Sequence, residues 1–124
     1  MQFASIRIIT DDVERLASFY EGVTGQTPER TADVFAQFRG PGLTLAIGSS
    51  RTVAMLEPGS AAPASNRSVI VEFLVNDVDA EYERLAAELD EIVLEPTTMP
   101  WGNRSLLFRD PDGNLVNLFS RPAE

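Results

Sequence analysis

The 124-residue chain contains no cysteine and no histidine. The first absence removes disulfides, thiolate nucleophiles and soft-metal sites together. The second removes the commonest transition-metal ligand and general base. Neither a Ser–His–Asp nor a Cys–His arrangement is therefore possible. Basic residues are scarce as well, with 10 Lys plus Arg against 19 Asp plus Glu and a formal net charge of −9. A balance of that sign argues against nucleic acid, whose phosphates demand a basic footprint. It suits cationic ligands, and it equally suits simple solubility. No apolar run approaches the roughly 20 residues that cross a bilayer, so no membrane partner is expected. Met1-Gln2-Phe3-Ala4-Ser5 has no basic stretch followed by an apolar one, so no signal peptide is expected and the cytoplasm is the expected compartment. Carboxylates remain as candidate ligands for hard cations, but none sit at calcium-loop spacing. Gly40-Pro41-Gly42 lacks both the spacing and the following helix of a phosphate loop.

What is present is an ordinary globular composition, 44% hydrophobic and 23% charged. Residues 3–9 alternate, with Phe3, Ser5, Arg7 and Ile9 on one side and Ala4, Ile6 and Ile8 on the other, which is a strand. Thr10-Asp11-Asp12 starts a helix, with Asp11 and Glu14 spaced as a capping box. Val13, Leu16, Ala17, Tyr20 and Val23 form its apolar face, and Gly22 and Gly25 end it. Extended segments follow at about 26–31, 33–39 and 43–48, and residues 50–56 read equally as helix or strand. Then the order repeats. Val69, Val71, Phe73 and Val75 alternate with Ile70, Glu72 and Leu74; Asn76-Asp77 starts a helix bearing Val78, Tyr82, Leu85 and Leu89; strands follow at 92–94, 104–109 and 115–119.

The halves align. Asp12-Val13 corresponds to Asp77-Val78, an offset of 65, and Phe38 at the last turn of the first half to Phe108, an offset of 70. This is an internal duplication. Module one spans about 1–56, a Pro/Gly/Ser-rich linker about 57–67, and module two about 68–124.

The chain resembles the vicinal oxygen chelate superfamily of glyoxalases, bleomycin-resistance proteins and ring-cleaving dioxygenases. The resemblance is carried by Asp12-Val13-Glu14-Arg15, Phe19-Tyr20 and Gly25. In the second half it is carried by Asn76-Asp77-Val78-Asp79-Ala80, Tyr82, Pro100-Trp101-Gly102 and Asp110-Pro111-Asp112-Gly113-Asn114-Leu115. It implies an α+β fold of two tandem βαβββ modules forming a curved, cup-shaped mixed sheet with helices outside, and it implies a homodimer. It also implies a metal ligand seven residues before each helix aspartate, where this chain has Ser5 and Ile70, and another at Asn117, with Ala46 as its counterpart. Ile70 and Ala46 offer no donor, and Ser5 and Asn117 offer only neutral oxygen, so no metal and no other cofactor is expected.

Alternation puts Ser5, Arg7, Ile70, Glu72 and Asn117 on the inward sheet face. Arg7 and Glu72 occupy equivalent positions five residues before their helix aspartates, and so form either an ion pair that orients a ligand or a structural salt bridge. The single tryptophan, Trp101, stands where a loop meets the sheet and either stacks on a planar ligand or packs. Phe35 and Phe38 face opposite ways, so at most one looks inward. Arg104 either holds an anionic or aromatic group or is simply solvated. The Asp110–Asn114 run has the composition of a metal site but the chemistry of a turn, and is read as a turn. These residues point to a binding protein rather than an enzyme. It would sequester a planar aromatic or cationic, antibiotic-like small molecule without a metal. The alternative is a metal-independent lyase or isomerase with Glu72 as base and Arg7 or Arg104 as electrophile.

Overall fold

The structure, a computed structural model, describes residues 1–122. The chain divides between Ser65 and Asn66 into two units, at the C-terminal end of the proline- and glycine-rich stretch. In the first unit β1 (Ser5–Thr10) leads to helix α1 (Val13–Thr24), then β2 (Glu29–Thr31), β3 (Phe35–Arg39), β4 (Thr44–Ser49) and helix α2 (Ser50–Leu56). In the second, β5 (Ile70–Leu74) leads to α3 (Val78–Leu85) and a short 3₁₀ turn, then β6 (Ile92–Thr98), β7 (Arg104–Arg109) and β8 (Leu115–Ser120). The sheets have equivalent orders, β1-β4-β3-β2 and β5-β8-β7-β6, with the first strand parallel to its neighbour and all other pairs antiparallel. The expected α+β duplication is present, with the mixed sheet built as one four-stranded sheet per unit.

Local chemistry explains the element ends. Asp12, not Asp11, caps α1, its carboxylate accepting from the Arg15 amide at 3.0 Å. Asp11 instead accepts from the Ser50 hydroxyl at 2.9 Å, and Glu14 turns outward to Arg30 at 3.2 Å, so no capping box forms. Gly22 lies inside the helix. Only Gly25 ends it, at φ +69°, a left-handed conformation that side chains disfavour. Residues 50–56 are helical because the Ser49 hydroxyl accepts from the Arg51 amide at 3.1 Å and caps them. Strand β6 runs past the expected Leu94 to Thr98. It lies at a sheet edge, where Pro96 removes no ladder bond that matters and the register shifts between Leu94 and Thr97.

Helices α1 and α3 each cover one side of their own sheet. In the first unit Leu16, Ala17, Tyr20 and Val23 of α1 are buried with Ala36, Phe38, Leu45 and Ile47. Tyr20 meets Phe38 edge-on at 6.5 Å, worth about 1 kcal/mol beyond area burial. In the second unit Val78 and Leu85 of α3 are buried with Leu106, Phe108, Val116 and Leu118.

The second unit also contains a buried polar knot. Asp110 is 4% exposed and Asn114 3%. The Asp110 carboxylate accepts from the amides of Asp112 and Asn114 at 2.9 Å each and from the Asn114 side chain at 2.8 Å. Asn114 in turn accepts from Asn66 at 3.1 Å, and Asn66 binds the Ser68 and Val69 backbone. The Asp-Pro-Asp-Gly-Asn run is therefore a turn that clamps the entry of β5. Asp110→Ala strands buried donors, and urea denaturation should show a loss of about 3 kcal/mol. A loss under about 1 kcal/mol would mean that the knot is not structural.

Candidate functional site

The strand side away from α1 and α3 is the candidate surface, and the ladders define its rows. In the first unit Arg7, Ala46 and Gln37 lie side by side, and Ile9, Gly48 and Phe35 form the next row. The Arg7 guanidinium lies 5.6 Å above the Phe35 ring, a cation–π contact worth about 0.5–1 kcal/mol at an exposed position. Its stem runs over Gly48. A Cβ there would sit 3.0 Å from the Arg7 Cδ and 3.2 Å from the Thr52 hydroxyl, so the missing side chain makes the seat. Arg7 has no ion pair among the described residues. Glu29 at the far edge is taken: Arg39 donates to it at 2.9 Å and Gln37 at 3.0 Å, and these bonds hold its carboxyl below the ordinary value.

In the second unit the rows are Ile70, Leu115 and Arg109; Glu72, Asn117 and Leu107; and Leu74, Phe119 and Ser105. Asn117 donates its side-chain NH₂ to Glu72 at 2.8 Å. That bond fixes the amide, and its carbonyl oxygen is left buried without a hydrogen-bond partner among the described residues. Glu72 has no ion pair among the described residues. Around this pair of acceptors the face is apolar, with Ile70 46% and Leu74 54% exposed. Arg7 and Glu72 thus each find a partner inside their own unit, Phe35 and Asn117 respectively.

Two expected site residues lie on the other side of their strands. Phe38 is 4% exposed and packs on Tyr20, because it shares parity with Ala36 beneath α1; it is a core residue. Arg104 shares parity with Leu106 and Phe108 on the α3 side, and there it grips Asp79 through two hydrogen bonds of 2.8 and 2.9 Å and Thr98 at 3.1 Å. It is thereby withdrawn from the open face. Trp101 occupies the β6–β7 hairpin tip, closed by a bond of 2.7 Å from the Met99 amide to the Asn103 carbonyl, and is 71% exposed. Parity with Asn117 and Arg7 was the available signal for the missed neighbours Phe119, Leu74 and Gly48.

The ladders also test the metal positions that the fold implies. Ala46 lies beside Arg7 as Asn117 lies beside Glu72, so the two positions are true counterparts. Ala46 and Ile70 present hydrocarbon, and no three His, Cys, Asp or Glu cluster among the described residues. This donor set does not fit a divalent transition metal.

A strand–helix–three-strand unit used twice defines a tandem βαβββ protein. The sequence profile of the Glyoxalase/Bleomycin resistance protein/Dioxygenase superfamily matches residues 2–118, and the chain belongs to that superfamily. Among solved structures it is similar to a glyoxalase/bleomycin resistance protein/dioxygenase from Nocardioides, at 28% identity and TM-score 0.79, covering 98% of this chain and 84% of that one. A family enzyme from Burkholderia phytofirmans PsJN shares the fold at 16% identity and TM-score 0.84, covering 97% and 98%. A lactoylglutathione lyase from Agrobacterium tumefaciens does so at 21% identity and TM-score 0.69, covering 95% and 92%. No curated protein sequence matches. No helix among the described residues is long and apolar enough to cross a membrane.

Two expectations test this facing. Phe38→Ala should cost about 3–5 kcal/mol in chemical denaturation as a core truncation, and Phe35→Ala only about 1 kcal/mol; equal costs would refute the assignment of faces. Asp79 has its pKa lowered by the Arg104 hydrogen bond from an ordinary value of 3.8. A depressed carboxylate contributes stability above its unfolded pKa and loses it as pH falls through the folded one. The stability difference between wild type and Asp79→Asn should therefore be constant between about pH 5 and 7 and shrink as the pH falls below about 4. A difference that does not change on acidification contradicts the ion pair.

Proposed function

We propose that this protein binds a small, planar or apolar molecule bearing a cationic N–H group, without a metal, in the manner of a sequestering protein. The observation that carries the reading is an unpaired acid on the open face of the second sheet. Glu72 offers a carboxylate without a cationic partner, held in place by the Asn117 side-chain NH₂ at 2.8 Å. A carboxylate held in that way asks for an ammonium, amidinium or guanidinium. The exposed flanks Ile70 and Leu74 ask for an apolar or aromatic body on that cation. The net charge of −9 draws cations to the surface at long range.

Phe35 and Arg7 supply a second planar platform in the first unit, open to stacking because Arg7 leaves its guanidinium unpaired. Trp101, exposed on its hairpin, would report a ligand that stacks on it through a change in fluorescence. A lyase or isomerase with Glu72 as base needs an electrophile on the same face, and Arg104 projects from the other side of β7 toward Asp79.

Calorimetric titration with a planar aromatic cation, such as an acridinium dye, and with its neutral isostere tests the reading. The cation should bind more tightly, and Glu72→Gln should weaken it about tenfold or more while leaving the neutral compound unchanged. Equal affinity of wild type and Glu72→Gln for the cation would overturn the proposal.

A further inference from the structure

The open face of the second unit ends in a small pocket outside the Glu72–Asn117 row. Its volume is about 150 Å³, and Arg67, Ser68, Val69, Ile70, Arg109 and Leu115 form most of its wall. Space of that order admits several waters or one small organic acid.

The charge of this pocket is unusual for the chain. Acids outnumber bases 19 to 10, and Arg30, Arg39, Arg51, Arg84, Arg104 and Arg109 each meet a carboxylate. Arg67 meets none among the described residues, and no acid stands in the pocket wall. Arg109 is steadied by Glu91 at 3.2 Å and by the Gly113 carbonyl at 3.2 Å, which leaves its guanidinium positioned and only partly neutralised by an exposed acid.

The wall is also built rather than incidental. Asn66 accepts from the amides of Ser68 and Val69 at 3.1 and 2.9 Å and donates to the Val69 carbonyl at 2.8 Å and to Asn114 at 3.1 Å. The segment that carries Arg67 and Ser68 is thereby fastened to the buried Asp110–Asn114 turn. Beside the two guanidinium groups stand apolar side chains, with Val69 and Ile70 each 46% exposed.

We infer that this pocket binds a small carboxylate with a short apolar stem. Arg67 supplies the planar fork that matches a carboxylate, Arg109 adds positive charge from the strand end, and the Ser68 hydroxyl is within the wall to donate. Val69, Ile70 and Leu115 cover the stem. The pocket adjoins the Glu72 row through Ile70 and takes a ligand of opposite charge.

The test is an amide NMR titration of the full chain with sodium butyrate and, separately, with inorganic phosphate at constant ionic strength. Neither probe anion bears a cationic group for Glu72 to hold, so the result is independent of the reading of Glu72. Butyrate should give saturable shifts at Ser68, Val69 and Leu115, with phosphate binding more weakly because it has no stem. Arg67→Ala removes no described bond and so should fold, and it should weaken butyrate about tenfold. Arg67→Lys, which keeps the charge but not the fork, should fall between. Shifts that never saturate, an Arg67→Ala affinity equal to wild type, or phosphate binding as tightly as butyrate would each overturn the inference.

Discussion

A β-strand turns successive side chains to opposite sides, and in both units a helix takes one of those sides. That parity decides nearly everything else in this protein. Ile6, Ile8, Leu45 and Ile47 in the first sheet belong to the layer beneath α1, leaving Arg7, Ala46 and Gly48 to the other side. In the second sheet Phe108, Val116 and Leu118 belong to the layer beneath α3, leaving Glu72, Asn117 and Ile70. A shift of one residue in any strand would exchange the two sets, so the burial of one layer enforces the chemistry of the other.

The duplicated scaffold carries unlike contents. Equivalent positions hold a cation over an aromatic ring in one unit and a carboxylate on an amide in the other. Where Asn117 can hold Glu72, its counterpart Ala46 leaves Arg7 to lean on Phe35 across Gly48. The last turns have also diverged. Arg39-Gly40-Pro41-Gly42 closes the first sheet by a single bond from the Gly40 amide to the Leu43 carbonyl at 3.1 Å, whereas the longer turn of the second sheet folds around the buried Asp110 carboxylate. A buried carboxylate that accepts several hydrogen bonds is stable only if all are made. That requirement extends through Asn114 to Asn66 and gives the second unit a rigid edge with a pocket beside it.

Arginine in this chain divides into structural and available groups by the same logic. Arg104 and Arg30 lie on the helix side, and each reaches the adjacent helix, at Asp79 and Glu14 respectively. Their charges are consumed by the fold. Arg7 and Arg67 stand on open surfaces without a carboxylate partner among the described residues, in a chain rich in acids.

Much of this was legible in residue order. Period-two and period-three-to-four patterns placed the strands and helices, the offsets of 65 and 70 exposed the duplication, and the turn reading of Asp110–Asn114 followed from Pro and Gly chemistry. Parity also said that Phe35 and Phe38 face opposite ways. It could not say which of them the helix covers, because both are equally apolar. The partner of Arg104 was hidden for a related reason: a charge at a strand start carries no mark of what it meets, and Asp79 lies 25 residues away. The Asn66 clamp joins residues 48 apart, and neither asparagine advertises the other. Local chemistry, then, was determined by the sequence alone, since propensity, alternation and turn geometry act over a few residues. Which polar groups meet, and which are left waiting for a ligand, was decided by tertiary packing, because only the closed ladders bring distant side chains within hydrogen-bond reach.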